Sequence, residues 1–305
     1  MTKLHLASYL QLRLFNDYAD IEHKVKKEPV KHELYASIAI PFHGGCDLLA
    51  RTIASLTQQT YSIDQFEVII AADANHADAK LIVDQYKGLL DIRLVTLSSN
   101  GFGPASSRNA GIEAAKGDVI VSLDSDMICP RRYLESHMGW FHKSAKIATI
   151  GLRKFVQAST IRPEDVITNF HLISSLPPIC SISNTVVGSR RDKRIPELKR
   201  LRSHPFPSNC FHGGNVAYWR DDAINIGLWD EDFNGNYGYE DIDFGQRLFE
   251  NGTKLAFEDG ATTYHQENNF VSPYERQKGM TTNRIKLYER YPALARFRED
   301  IVGSL

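Results

Sequence analysis

The first half of the chain alternates short apolar runs with segments of helical spacing, and this alternation restricts its fold more than any other feature. The apolar runs are rich in Ile, Val and Ala, as buried strands are. Predicted strands cover residues 35–41, 66–72, 92–97 and 118–123, and predicted helices cover 48–59, 78–90 and 104–115. This order is typical of βαβ units, so the sequence predicts an α/β fold with a mainly parallel central sheet.

The second half of the chain is less regular, and residues 183–211 have the composition of a loop. Gly213 and Gly214 then begin a further predicted strand. The remaining predicted elements are helices at 220–226 and 240–251, a turn at 234–239, and strands at 254–257 and 261–264. Residues 1–34 and 272–305 look like helical extensions, so the predicted Rossmann-like sheet carries helical N- and C-terminal additions.

Composition excludes several classes of protein. The chain has 305 residues, 42% hydrophobic and 24% charged, which suffices for one large domain or two small ones. A net charge of −1 argues against a general affinity for nucleic acid. Four scattered cysteines without a CxxC pair favour reduced thiols over a zinc site. With no signal-peptide core and no run of about 18 apolar residues, we expect a cytoplasmic protein, at most peripheral at the inner membrane face.

Acidic residues follow two of the predicted strands. Asp73 comes after 66–72, and Asp124 and Asp126 come after 118–123. Ligands of open α/β sheets bind outside the carboxyl ends of the strands, so these acids are candidate site residues. Two carboxylates two positions apart suit Mg²⁺ or Mn²⁺, which takes its remaining ligands from phosphate oxygens and water. The alternative is a turn cap, since Asp and Ser favour turns.

Residues 101–111 begin as a Gly-rich loop and enter a helix with Pro104 in its first turn. Backbone amides at a helix start, together with Arg108, could face the anionic or polar groups of a nucleotide. The alternative is a capped helix with a surface arginine.

A second acidic group starts the helix predicted at 240–251. Glu240, Asp241 and Asp243 could interact favourably with the helix dipole, or one of them could be a general base that takes a proton from an attacking hydroxyl. His265 follows the strand predicted at 261–264. An isolated histidine of this kind is more often structural than functional.

The segment 188–202 is strongly basic. Across residues 183–211, seven Lys and Arg side chains face only Asp192 and Glu197. Three interpretations stay open: a solvated mobile segment, a lid that orders over a diphosphate, or a docking surface for an anionic acceptor or membrane.

Motifs along the chain occur in a recognisable order. They are SIAIP at 37–41, LTQQTY at 56–61, FEVII at 66–70, RNAG at 108–111 and LDSD at 123–126, then GGNVA at 213–217, Gly227, DEDF at 230–233 and GYEDID at 238–243. The set resembles the family 2 glycosyltransferases of GT-A fold and covers roughly residues 35–270. The later motifs are similar to bacterial chondroitin-type polymerases, galactosyltransferases and polypeptide N-acetylgalactosaminyltransferases.

This resemblance implies a domain division and a set of site residues. The glycosyltransferase domain would span 35–271, with a nucleotide-sugar-binding half at 35–130 and an acceptor and catalytic half at 131–271. The donor-binding positions would be Pro41, Phe42, His43, Asp73, Arg108, Asp124, Ser125 and Gly214. Asp126 and His265 would ligate Mn²⁺ or Mg²⁺, and Glu240 and Asp241 would be the catalytic pair, with Asp241 the base.

The implied reaction is an inverting, metal-dependent transfer of a sugar from a UDP-sugar to an acceptor hydroxyl. The acceptor would be a glycan, a lipid-linked glycan, a peptide or a metabolite. Two alternatives are a non-catalytic nucleotide-sugar-binding protein and a sugar nucleotidyltransferase. The second usually needs a Lys or Arg in the loop after the first strand, where this chain has FHGGCD at 42–47.

Overall fold

The computed structural model describes residues 16–73, 77–98, 103–183, 186–189, 191–266 and 273–302. Its strands form a central seven-stranded sheet, a three-stranded sheet and a hairpin. They are β1 (Ala36–Phe42), β2 (Phe66–Ala72), β3 (Ile92–Thr96), β4 (Val119–Leu123), β5 (Met127–Ile128), β6 (Ile147–Ile150), β7 (Arg153–Val156), β8 (Cys180–Ser183), β9 (Val186–Ser189), β10 (Asn215–Trp219), β11 (Lys254–Phe257) and β12 (Thr263–Gln266). The central sheet has the order β11-β6-β10-β4-β1-β2-β3. Only β10 runs antiparallel to its neighbours in it, so the predicted mainly parallel sheet is confirmed.

Helices flank the central sheet. They are α1 (Ala19–Lys27), α2 (Cys46–Leu56), α3 (Ala77–Tyr86), α4 (Pro104–Ala114), α5 (Tyr133–Phe141), α6 (Pro163–Thr168), α7 (His171–Ser174), α8 (Ile195–Leu198), α9 (Arg220–Asn225), α10 (Glu240–Glu250), α11 (Pro273–Arg290) and α12 (Pro292–Val302). Single 3-10 turns occur at Ile63–Gln65, Leu201–Ser203, Pro207–Cys210, Glu231–Phe233 and Asp259–Ala261. Among these described helices, none combines the length and apolar character needed to cross a bilayer.

The core lies on both faces of the central sheet. In β1 and β2, Ile38 and Ile70 belong to one hydrophobic cluster, whereas Ala39 and Ile69 belong to the other. Successive strand residues point to opposite faces, and both faces are covered by helices. This is why the strands are continuous apolar runs in the sequence, and why β2 occupies the residues predicted for it.

β1 and β12 are shifted along the chain relative to the predicted strands. β1 continues past Pro41 to Phe42; its pairing with β4 ends at Ala39, so the missing N–H of the proline breaks no bond on that side. β12 lies two residues later than predicted because a 3-10 turn occupies Asp259–Ala261. His265 is therefore inside this strand rather than after it.

A buried asparagine joins the two larger sheets. Asn215 Nδ2 donates to the carbonyls of Ala261 at 2.8 Å and Leu152 at 2.9 Å, and its Oδ1 lies 3.2 Å from His137 Nε2. These bonds satisfy polar groups that would otherwise be buried without partners. They fix β12, and with it His265, relative to β10 of the central sheet.

The C-terminal helices pack on the turn that leads into α10. Asn283 is fully buried, and its Nδ2 donates to the carbonyls of Phe233 at 3.0 Å and Gly238 at 2.8 Å. The carboxylate of Asp243 accepts hydrogen bonds from Arg290 Nη1 at 2.7 Å and from the Tyr291 hydroxyl at 3.2 Å. Asp243 therefore anchors these helices, and residues 273–302 support the second half of the domain.

The basic segment is more ordered than its composition predicted. The described part of residues 183–211, which were predicted to be a loop, contains β9, α8 and two 3-10 turns. Arg194 is 5% exposed and donates to Asp192 Oδ2 at 2.6 Å and to the carbonyls of Cys210 and Gly151. At least this cation holds the segment to the domain, whereas Lys193 and Lys199 are exposed. The lid and the docking surface stay predictions for the exposed cations.

Candidate active site

The candidate site lies at the carboxyl edge of the central sheet, where β4 ends and a short turn carries Asp124 and Asp126. The Asp124 N–H donates to Gly214 O at 3.0 Å, so the turn is held against the entry to β10. β5 follows immediately, and its Met127 pairs with His265 of β12. This register is what brings Asp126 and His265 together.

Asp126 and His265 have the geometry of a two-residue metal site. Asp126 Oδ2 lies 3.6 Å from His265 Nε2. Neighbouring ligands of an octahedral Mg²⁺ lie about 3 Å apart, so the pair could share a cation after a small adjustment. His265 Nδ1 lies 2.8 Å from Gln266 O, and a carbonyl only accepts, so Nδ1 carries the proton. Nε2 then presents its lone pair to the carboxylate, an arrangement that a divalent cation would satisfy.

Further ligands would have to come from substrate and water. In the part of the chain that the structure describes, no group of three or more His, Cys, Asp or Glu side chains is placed to hold a metal. Two protein ligands nevertheless suit Mg²⁺ or Mn²⁺ in nucleotide sites, where phosphate oxygens and water complete the shell. The donor set therefore fits the predicted cofactor.

A buried arginine connects the two halves of the site. Arg108 is 6% exposed; its Nη2 donates to Asp124 Oδ1 at 3.2 Å and its Nη1 to Glu240 Oε1 at 3.1 Å. The guanidinium also stacks over the Trp229 ring, with Cζ 4.7 Å from the ring centroid. The alternative of a surface arginine is wrong. Arg108 instead brings together acids that are 116 residues apart in the chain, Asp124 and Glu240.

The two acids at the start of α10 are both shifted towards their protonated forms. Burial and the neighbouring charge of Asp241 raise the pKa of Glu240 to about 7, although Arg108 opposes the shift. Burial also raises the pKa of Asp241, against the charges of Arg108 and Arg153 and a hydrogen bond from the Ile242 N–H at 2.8 Å. As a residue, Asp241 is half-buried.

Two glycines make this arrangement possible. A Cβ at Gly214 would lie 2.0 Å from Asp124 Oδ2, so only glycine lets that carboxylate approach β10. Gly238 has φ +75°, and Tyr239 after it has φ +74°, a conformation that is uncommon for residues other than glycine. The two left-handed residues turn the chain sharply before α10 and orient Glu240 towards Arg108.

A second group contains Asp73 and His43. Asp73 is 2% exposed and its Oδ1 lies 2.8 Å from His43 Nδ1. The Gly103 N–H is 3.4 Å from Asp73 Oδ2, and the Ala105 N–H donates to Asn234 Oδ1 at 3.1 Å. These two amides at the start of α4 are thus engaged within the protein rather than open to a nucleotide as predicted.

The remaining donor-binding candidates are Pro41, Phe42 and Ser125. Phe42 is 1% exposed and packs in the core, so its side chain is part of the hydrophobic cluster. Pro41 is half-buried beside it. Ser125 is half-buried, and its carbonyl accepts from Thr52 Oγ1 at 2.9 Å, which ties the turn to α2.

Sequence reasoning missed the role of Trp229. This residue is 1% exposed and stacks parallel to Phe244, with ring centroids 4.1 Å apart. The Asn109 side chain fixes Trp229: Oδ1 accepts from the Trp229 backbone N–H at 2.8 Å, and Nδ2 donates to the Trp229 carbonyl at 2.9 Å. No local pattern distinguishes such a tryptophan from an ordinary core residue, although Asn109 lies in the RNAG motif.

The buried charge of Glu240 has a consequence for stability. Because the pKa of Glu240 is raised in the folded state, its contribution favours folding below its ordinary pKa and is lost as the pH rises towards 7. Glu240→Gln should therefore be more stable than the wild type at pH 8, by on the order of 1–3 kcal/mol. Urea unfolding should show this gain shrinking towards pH 5.

The exposed Glu113→Gln is the matched control and should show no such pH-dependent gain. Equal destabilisation of Glu240→Gln at pH 5 and pH 8 would contradict the prediction. It would mean that the ion pair with Arg108 outweighs the cost of burying the carboxylate.

Comparison with known proteins identifies the family of this chain. The family model for glycosyl transferase family 2 matches residues 37–227, and that for the N-terminal domain of galactosyltransferase matches 200–270. The chondroitin synthase of Escherichia coli is 32% identical over 277 residues, covering 88% of this chain and 40% of that protein. This chain spans between 27% and 40% of the length of the first curated relatives that it matches.

Solved structures agree on the fold. TarS 1–349 of Staphylococcus aureus, in complex with UDP-GlcNAc, matches with a TM-score of 0.56 and 17% identity over 84% of this chain and 67% of that one. The mannosyltransferase of Pyrobaculum calidifontis, in complex with GDP-Man and Mn²⁺, matches with a TM-score of 0.57 and 15% identity over 93% of this chain and 74% of that one. The chain has the GT-A fold and belongs to glycosyl transferase family 2.

Proposed function

We propose that this chain is an inverting glycosyltransferase that moves a sugar from a UDP-sugar to an acceptor hydroxyl with the help of a divalent cation. One observation carries the proposal. Arg108 joins Asp124, next to the Asp126–His265 pair, to Glu240, next to Asp241. A candidate metal site and a candidate base therefore meet at the edge of the sheet where ligands of this architecture bind.

The donor would lie along this edge. Asp73 and His43 would contact the uracil base of the nucleotide, and Asp124 would contact the ribose or the donor sugar. Asp126 and His265 would hold Mn²⁺ or Mg²⁺, which when bound neutralises the charge on the departing diphosphate. The UDP-GlcNAc and GDP-Man complexes of the two structural neighbours support a nucleotide-sugar donor, and the second supports Mn²⁺.

Asp241 is our choice for the general base. The Ile242 N–H binds its Oδ1, which fixes the carboxyl at the first turn of α10. The acceptor O–H bond breaks and its proton passes to Asp241, while the oxygen forms a bond to the anomeric carbon. The bond from that carbon to the diphosphate breaks on the opposite face, and its electrons leave with the diphosphate. One displacement of this kind inverts the anomeric configuration.

Glu240 would have a different task from Asp241. Its Oε1 is bound to Arg108, and its Oε2 has no hydrogen-bond partner among the described residues. A buried carboxyl oxygen of this kind is suited to a hydroxyl of the donor or acceptor sugar. We therefore assign Glu240 to substrate orientation and Asp241 to proton transfer.

The test is nucleotide release from a panel of UDP-, GDP- and dTDP-sugars, with Mn²⁺, Mg²⁺ or EDTA and without an acceptor. Slow release of UDP from one sugar, abolished by EDTA, is the expected result. Release that persists in EDTA would overturn the metal assignment. If no sugar is bound or hydrolysed with any metal, the transferase proposal fails and the non-catalytic alternative takes its place.

A further inference from the structure

Arg153 is a partly buried cation beside the candidate site, and the sequence analysis gave it no role. It begins β7, whose Phe155 is the register partner of His265 in β12. Arg153 and Phe155 lie two residues apart, so their side chains project from the same face of this sheet as His265. The Arg153 side chain is 20% exposed.

The charge of Arg153 is only partly compensated. Its Nε lies 3.7 Å from Asp192 Oδ2, but the same carboxylate accepts from Arg194 Nη2 at 2.6 Å and Arg194 Nε at 3.0 Å. Arg153 Nη2 donates instead to His212 Nδ1 at 2.8 Å. Burial and the charges of Arg194 and Arg153 lower the pKa of His212 far below its ordinary range, so this partner is neutral.

His212 connects Arg153 to the candidate base. The next residue, Gly213, has its backbone N–H close enough to the carboxylate of Asp241 to lower the pKa of that group. The Gly213 carbonyl accepts from Ser122 Oγ at 2.6 Å, which holds this strip of chain against β4. The Arg153 charge also acts directly on Asp241, lowering its pKa against the effect of burial.

We propose that Arg153 is a positioning residue for the base: its hydrogen bond to His212 fixes the His212–Gly213 strip beside Asp241, and its guanidinium places a positive charge near this carboxyl. The inference rests on the proposed role of Asp241. It also gives the basic segment a role, because Asp192 and Arg194 of that segment fix the position of Arg153.

Other charged groups surround Asp241. Arg108, on α4, lowers the pKa of Asp241, as Arg153 does. The negative charge of Glu240 opposes ionisation of Asp241. Asp124 is paired with the Arg108 guanidinium. Two cations of the C-terminal helices, Arg284 and Arg298, act on the nearby Tyr239, and Arg298 Cζ lies 5.5 Å from the Tyr239 ring centroid. Arg108 is already shared by two carboxylates, so removal of Arg153 should not be compensated by it.

The experiment compares the pH dependence of metal-dependent nucleotide release for the wild type, Arg153→Gln and Arg153→Lys. Asp241 must be ionised to accept a proton, so the rate falls on the acidic side as it protonates. Without the Arg153 charge the pKa of Asp241 should rise. The acidic limb of the pH–rate profile of Arg153→Gln should therefore move up by about one pH unit. Arg153→Lys keeps the charge and should stay near the wild-type limb.

Lys154→Gln is the matched control. It removes the same charge one residue away, from an exposed side chain whose ammonium lies 5.7 Å from the Tyr264 ring centroid. The acidic limb of the Lys154→Gln profile should not move. UDP affinity measured by calorimetry should stay unchanged in all three variants.

A slower Arg153→Gln enzyme with an unmoved limb would overturn the inference and leave Arg153 a purely structural role. A loss of UDP affinity with an unmoved limb would also overturn it, and would place Arg153 on the diphosphate. If Arg153→Gln does not fold, a shifted limb in Arg153→Lys would contradict the proposal. Asp241→Asn separates the two claims: wild-type release by that variant would overturn the proposed base itself, whereas its inactivity would leave the base in place whatever Arg153 does.

Discussion

Replacing Asp241 with Asn is expected to lower the rate of metal-dependent nucleotide release by about 10³-fold, within the range for loss of a general base. The amide has the same shape and can still accept the Ile242 N–H through its oxygen, so the turn at the start of α10 should persist. What the amide cannot do is take a proton at neutral pH. Donor affinity should remain nearly unchanged, because the predicted donor-binding and metal-binding residues do not include Asp241.

The fold should tolerate this change well. Burial disfavours the ionised form of Asp241, so a neutral side chain of equal size removes an unfavourable charge. Calorimetric titration with UDP and thermal unfolding would separate the two effects. Joint loss of turnover and of donor binding would point to a structural role for Asp241, and wild-type turnover would exclude it as the base.

Asp243→Asn is the matched control on the same helix. Asp243 is fully buried and its carboxylate binds Arg247 Nε at 2.8 Å as well as Arg290 and Tyr291. Its loss should lower the unfolding temperature while leaving the rate per folded molecule close to that of the wild type. Asp241→Asn would then lower the reaction rate but not the stability, whereas Asp243→Asn would lower the stability but not the rate.

The parts of the fold that could be predicted are those encoded by local pattern. β2 is a continuous apolar run because both of its faces are buried, and Asp73 marks its end. The turn after β4 was identifiable because two carboxylates follow a strand. The predicted ends of a strand were wrong where the strand contains polar residues. Gln266 is fully buried in β12, where its Oε1 accepts from Arg51 Nε at 2.6 Å, a partner 215 residues away that no local window contains.

The parts that could not be predicted depend on contacts between distant segments. Arg108 looked like a candidate surface residue because its counter-charges come from Asp124 and from Glu240, which is 132 residues away. Asn283 lies in a helix of mostly polar composition, and nothing in that helix indicates that it supports the turn at 233–238. The same is true of Arg194 in the basic segment. In each case the side chain is polar in sequence and buried in the fold, where its partners satisfy it.

Arg108→Met is expected to have the largest effect on stability. The buried guanidinium serves two carboxylates, and breaking a buried ion pair by removing one partner costs about 3–5 kcal/mol. The cost should depend on pH. Without Arg108 the pKa of Glu240 should rise further, so at pH 5.5 the carboxyl is protonated and no longer needs a cation, whereas at pH 8 it remains a buried charge. Urea unfolding at the two pH values should therefore show the larger loss at pH 8.

Arg132→Met and Arg108→Lys are the informative controls. Arg132 is 73% exposed and pairs with Glu135 one turn later, so its loss should cost no more than about 1 kcal/mol. Arg108→Lys keeps the charge, but a single ammonium cannot bridge two acids as the planar guanidinium does. It should recover part of the stability and little of the activity, because Glu240 would lose its fixed orientation. Equal, pH-independent losses for Arg108→Met and Arg132→Met would instead mean that Arg108 is a surface residue, and the connection between the two halves of the site would be lost.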